Sequence, residues 1–239
     1  MLFSILFSKG DFLSIFVSLL LSLPIMMLAL AIHETAHGYV AWKCGDNTAY
    51  NLGRLTLNPL KHLDPVGFLC LLIFGFGWAK PVPINTRNFR NPKRGMALSA
   101  LAGPAANLLL GLVSTLLYGI CWGVFAYFDF TGAASAFVYN LFDWLTLAFW
   151  YGAQINFIFM VFNLIPIPPF DGSRIALAFL PPKTYFGMMK YERQIMFGLL
   201  IVLFVCSYLF EFSPFSWVAE KLADLIAHPI ANGIFKALL

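Results

Sequence analysis

The chain has 239 residues, 60% of them hydrophobic and 11% charged, with a net charge of +4. Soluble domains are about 45–50% apolar and about 25% charged, so a mean hydropathy of +0.80 excludes a soluble enzyme, a disordered linker and a disulfide-rich secreted scaffold. What remains is one membrane-embedded domain over residues 1–239, an all-α polytopic fold in the cell membrane with about four to six transmembrane helices.

A helix needs about 20 apolar residues to cross about 30 Å of hydrocarbon. Spans are expected over 12–42, 104–128, 144–165 and 194–210, the last of marginal length. The second is expected to start at Pro104, because proline is favoured in a first turn. Residues 65–79 are apolar but too short to cross straight, and carry Gly67, Gly75 and Gly77; they are read as a re-entrant loop. Before and after this loop, the alternation in Leu52–Leu57 and the proline spacing in Lys80–Ile84 suggest a small β-hairpin. Its 52–57 edge keeps free amides and is expected to accept an added strand from another chain. The tail 213–239 mixes Glu220, Lys221 and Asp224 with Val218, Leu222 and Leu225, a spacing that suits an interfacial helix or a final span. No cleavable signal is expected at the amino end. The four cysteines lack a CxxC pair, which argues against a zinc ribbon.

Charge sets the direction of insertion. Lys43, Arg54, Lys61, Lys80, Arg87, Arg90, Lys93 and Arg94 fall between the first two spans, and Arg174, Lys183, Lys190 and Arg193 between the last two, whereas 129–143 has no Lys or Arg. Cytoplasmic loops collect positive residues, so 43–94 and 171–193 are expected inside, with the hairpin and the active site toward the cytoplasm. Within the second span Gly103, Asn107, Gly111, Thr115, Gly119 and Gly123 recur every four residues, a pattern for close helix packing.

The chemistry is carried by His33-Glu34-Thr35-Ala36-His37, at the inner end of the first span. Residues four apart share a helix face, so two imidazoles can converge on one Zn²⁺, with Glu34 beside the water rather than on the metal. Ionisable groups inside a span are costly and mark function. At about 1.5 Å per residue, His33 lies about 15 Å from Lys43 along the helix. A catalytic zinc takes three protein ligands and keeps one open position. Candidates for the third are His62, Asp64, Asp129, Asp143, Asp171 and His228. Asp171 is preferred, because Pro166, Pro168 and Pro169 break the helix before it, and irregular backbone at membrane depth is tolerated where it is buried in protein or lines a cavity. It could instead cap the helix starting near Ser173. His62 and Asp64 lie in a turn-rich stretch and are read as structural, and Asn156 as a helix-to-helix hydrogen bond.

The sequence resembles the site-2 protease family of intramembrane zinc metalloproteases, in a compact form without PDZ or nucleotide-sensing domains. The resemblance rests on the H-E-x-x-H, on Asn163 to Asp171-Gly172, on Gly103-Pro-Ala-Ala-Asn107, on Gly53-Arg-Leu-Thr-Leu-Asn-Pro and on Phe76-Gly-Trp-Ala-Lys-Pro-Val-Pro. It implies one zinc per chain on His33, His37 and Asp171, Glu34 as the catalytic carboxylate, and Asn163 near the reacting carbonyl. The expected partners are a transmembrane protein substrate and the bilayer, with no nucleic acid; self-association is left open. The competing expectation is a non-proteolytic zinc scaffold or a metal transporter.

Overall fold

The computed structural model describes residues 12–74, 77–132, 135–176, 190–209 and 228–238, with isolated positions between the last three stretches. Helix α1 runs Phe12–Lys43 with Pro24 inside it. A short α2, Thr48–Asn51, follows a tight turn. Helix α3 is Pro65–Phe74, started by Asp64, whose Oδ1 accepts the Gly67 amide at 2.8 Å. Helix α4, Pro92–Thr131, has 40 residues and α5, Ala136–Asn163, has 28. The short α6 is Asp171–Ala176, α7 is Glu192–Leu209, and α8 is Helix His228–Leu238, which lies against α4.

Among the described residues, three helices are long and apolar enough to cross a membrane: α1 from Phe16, α4 and α5. Two boundaries differ from expectation. Helix α4 starts at Pro92 rather than Pro104, because Asn91 accepts the Arg94 amide at 3.1 Å and Pro92 occupies the first turn. Asparagine followed by proline is a stronger start signal than a proline embedded among small residues. Pro104 stays within the helix and is fully buried; neighbouring helices make such a proline tolerable. Helix α5 starts at Ala136 rather than 144, since Ser135 caps it. The stretch 194–209 is helical in α7, but that helix is not among the three. Much of 213–227 lies outside the described residues.

No strand forms among the described residues, so the expected hairpin is corrected. Segments 52–57 and 80–84 are both extended, yet no backbone ladder joins them. Side chains hold them instead. The Thr56 carbonyl accepts the Thr35 hydroxyl at 2.7 Å and the His62 Nε2–H at 2.8 Å. Arg54 donates to the Lys80 carbonyl at 2.9 Å. Leu55 and Val82 both lodge where α1 has Gly38: a Cβ there would stand 2.6 Å from Leu55 Cδ2 and 3.0 Å from Val82 Cγ1. A larger residue would push both segments off the helix.

The 65–79 excursion returns to its starting point. Leu63 and Ala79 form an antiparallel bridge, and the Lys80 amide donates to the His62 carbonyl at 2.9 Å. A Cβ on Gly67 would collide with the Trp78 carbonyl, and one on Gly77 with the Gly67 carbonyl, so the two limbs touch backbone to backbone. Behind it, the fully buried Asp46 accepts from the Thr48 and Asn85 amides at 3.1 and 2.7 Å and from the Asn88 side chain at 2.8 Å. This ties the end of α1 to the approach to α4.

The core of the bundle is the contact of α4 with α1 and α5. Gly95, Ser99, Gly103, Asn107, Gly111, Thr115, Gly119 and Gly123 are all buried. The small-residue stripe therefore extends two steps further toward the start of α4 than expected. With little hydrophobic drive available in lipid, close backbone approach and polar contacts supply helix association.

Candidate metal centre

The site is assembled from α1, α4 and the proline-broken segment before α6. One turn of α1 puts His33 and His37 on the face toward α4, where both rings are buried. They fit because α4 has glycine there: a Cβ on Gly103 would lie 2.6 Å from His33 Cε1 and closer still to the His37 ring. After α5 ends at Asn163, residues 165–170 are irregular, and Asp171 opens α6 with its side chain 13% exposed. Gly172 is required next to it, since a Cβ would run into the Leu164 and Ile165 carbonyls.

Three ligand-type atoms converge. His33 Nε2 and His37 Nε2 are 3.0 Å apart, and Asp171 Oδ2 is 3.1 Å from the first and 3.0 Å from the second. Among the described residues, these three form the only group of His, Cys, Asp or Glu placed to hold a metal. The far side of each ring explains why. His37 Nδ1 is 2.7 Å from the Ser99 carbonyl, which can only accept, so that nitrogen carries the proton. His33 Nδ1 faces the Asn107 side-chain oxygen. A histidine that carries its proton on Nδ1 presents the lone pair of Nε2, so in that tautomer both Nε2 atoms and the carboxylate oxygen turn lone pairs toward one point. A cation at that point removes their repulsion. Donor atoms on a tetrahedral zinc at about 2.0–2.1 Å stand about 3.3 Å apart, a few tenths of an ångström wider than here. Two imidazoles and a carboxylate suit zinc, and imidazoles bonded outward to a carbonyl and an amide have the usual supporting shell.

The other expected residues are also located. Glu34 is not in the triad; its Oε2 accepts the Val82 amide at 2.8 Å. Asn163 donates to the Phe159 carbonyl at 3.0 Å, within its own helix, and is not bonded to the triad. His62 and Asp64 stand outside the triad: His62 Nε2 donates to the Thr56 carbonyl, and Asp64 Oδ1 accepts the Gly67 amide. Sequence reasoning missed the Val82 amide and the Ser99 carbonyl, and read Asn107 as packing alone. The available signal was that Ser99 and Asn107 are the polar members of a glycine stripe flanking Gly103.

The family model described as Peptidase family M50 matches residues 21–208. "Putative zinc metalloprotease YwhC" of Bacillus subtilis (strain 168) is 40% identical over 182 residues, which is 75% of this chain and 78% of that protein. "Putative zinc metalloprotease Rip2" of Mycolicibacterium smegmatis is 31% identical over 181 residues, 74% of this chain and 62% of that protein, so the chain matches less than two thirds of it. "Putative zinc metalloprotease MJ0611" of Methanocaldococcus jannaschii is 28% identical over 144 residues, 60% of this chain and 62% of that protein. No solved structure matches significantly. These likenesses do not favour a scaffold or transporter.

Proposed function

The chain belongs to peptidase family M50 and is a zinc-dependent membrane protease of the site-2 type, and we propose that it hydrolyses a peptide bond within or beside a transmembrane helix of another membrane protein. The observation that carries this reading is the convergence of two imidazole nitrogens and one carboxylate oxygen, 3.0–3.1 Å apart, between two apolar helices. In this reading His33, His37 and Asp171 hold one zinc per chain. Bound zinc supplies a water of pKa about 7 and a polarised scissile carbonyl.

The remaining steps belong to side chains. Glu34 takes the proton of the attacking water and returns it to the leaving amine, as a placed carboxylate can. The Val82 amide holds one Glu34 oxygen and leaves the other for the water. The Asn163 amide has two protons; Phe159 uses one, and the second serves the developing oxyanion. Residues 1–239 act as one domain. Helix α7 is a fourth span, 65–79 is re-entrant, and the tail from 213 lies in the interface or crosses. The site opens to the cytoplasm, because the basic residues of 43–94 flank it. An unwound substrate segment finds backbone partners beside 52–57, in a place where water is scarce.

Glu34→Gln tests the reading. Reconstituted with a single-span membrane protein that wild type cleaves, the variant retains zinc and loses cleavage. Retained cleavage at wild-type rate would overturn it.

A further inference from the structure

Behind His33 runs a chain of buried amides that crosses three helices. His33 Nδ1 faces Asn107 Oδ1, Asn107 Nδ2 donates to Asn156 Oδ1 at 2.8 Å, and Asn156 Nδ2 donates to the Gly152 carbonyl at 2.8 Å. Asn107 is fully buried and Asn156 is 4% exposed. We propose that Asn156 is a positioning residue of the metal centre, acting through Asn107 to dictate which ring nitrogen of His33 carries the proton. The proposal rests on the zinc-site reading above and adds the device that prepares one ligand.

The argument is one of polarity. An amide side chain can present either its oxygen or its nitrogen to a neighbour, so an Asn–His contact alone does not decide the imidazole tautomer. A backbone carbonyl has no such freedom, because it only accepts. At the far end of the chain the Gly152 carbonyl therefore demands the Asn156 nitrogen. That turns the Asn156 oxygen toward α4, where it demands the Asn107 nitrogen. The Asn107 oxygen is then left facing α1, where it demands a proton on His33 Nδ1. The lone pair of His33 is confined to Nε2, the atom that points at His37 and Asp171. Reversing any one amide would set oxygen against oxygen or nitrogen against nitrogen inside the bundle.

His37 reaches the same tautomer by a shorter route, its Nδ1 lying 2.7 Å from the Ser99 carbonyl. Both ligands are thus referred to a main-chain carbonyl, directly in one case and through two amides in the other. Simple helix-to-helix adhesion needs no consistent direction along the chain and no endpoint on a ligand. It predicts that loss of Asn156 lowers stability and leaves His33 untouched.

The test uses the full chain in lipid nanodiscs with ¹⁵N-labelled histidine. Nitrogen shifts of the zinc-free protein report the tautomer of each ring, and titration against a competing chelator reports zinc affinity. Wild type is expected to show His33 with its proton on Nδ1. Asn156→Leu frees Asn107 to turn over, so His33 is expected to become a mixture of tautomers and zinc to bind up to about tenfold more weakly. Asn107→Leu is expected to lose roughly 10–100-fold, the usual range for a partner of a metal ligand. The double variant should bind zinc no more weakly than Asn107→Leu alone. An unchanged His37 signal certifies the fold in each case; should the leucine at 156 disturb it, Asn156→Ala carries the same measurement. The inference is overturned by a proton on His33 Nε2 in wild type, or by an Asn156 variant with wild-type tautomer and zinc affinity. Failure of wild type to bind zinc would sink the metal-site reading instead, while the tautomers of the zinc-free protein still score the amide chain.

Discussion

The backbone amide of Val82 donates to Oε2 of Glu34 at 2.8 Å. An N–H to a charged oxygen is worth about 1.5–3 kcal/mol, and here it holds the proposed base by a main-chain atom that most substitutions leave in place. Val82→Pro deletes that donor in a segment already flanked by Pro81 and Pro83. The expected result is cleavage reduced roughly 10–100-fold with full zinc content. Val82→Ala keeps the amide and is expected to keep the rate. Equal rates for the two variants would remove the amide from the mechanism.

Asp171→Asn is expected to lose zinc on purification while Asp64→Asn retains it. The first carboxylate faces both Nε2 atoms, whereas the second only accepts the Gly67 amide, which an asparagine oxygen can also do. Metal analysis of the two purified variants decides the point.

Glycine on α4 has two separable duties. A Cβ on Gly103 meets the imidazoles, whereas one on Gly111 stands 2.7 Å from Phe157 Cε1, away from the ligands. Overpacking costs about 1–3 kcal/mol at either place. Gly103→Ala is expected to reduce zinc content, and Gly111→Ala to lower the melting temperature with zinc content intact.

Asp46 gives the fold an acid dependence. Burial pushes its carboxyl upward, but bonds from Thr48, Asn85 and Asn88 outweigh that and hold it below its ordinary value. A carboxylate more acidic when folded than unfolded adds stability above the unfolded value, about 3.9, and loses it as pH falls through the folded one. Asp46→Asn is expected to melt lower than wild type at pH 7, by about 1–3 kcal/mol of lost hydrogen bonding. The gap should narrow progressively below about pH 4. Thermal melts of both proteins across that range check the sign.

Much of this was legible in the residues themselves. The spacing of His33 and His37 places two ligands on one helix face, and three prolines in six residues announce that Asp171 is delivered by irregular chain. Main-chain donors and acceptors were not legible, because every residue carries them. Nothing in the letters for Val82 or Ser99 says that one amide will find Glu34 and one carbonyl His37. The hairpin failed for a related reason. Alternation over 52–57 describes an extended segment with two faces, and such a segment can pair with a neighbour or lodge in a notch. The notch at Gly38 took Leu55 and Val82, and the Thr56 carbonyl was claimed by Thr35 and His62. The start of α4 was misplaced because Pro104 was weighed alone, without the Asn91-Pro92 cap upstream.

The buried stripe on α4 has the geometry of a screw thread. A helix turns 100° per residue, so positions four apart advance about 40° around the axis, and the eight from Gly95 to Gly123 sweep about 280°. The neighbours change in step: Ser99 and Gly103 meet α1, Asn107 meets α1 and α5 together, and Gly111 meets α5. The pitch of the thread thus hands the helix from one partner to the next, with Asn107 at the crossover. One residue inserted between Asn107 and Gly111 would rotate the outer half by about 100° against the inner half. The half that seats the two imidazoles would keep its register with α1, while Leu110, Tyr118 and Trp122 took the places of Gly111, Gly119 and Gly123. Along this helix, length is therefore as strictly specified as residue type.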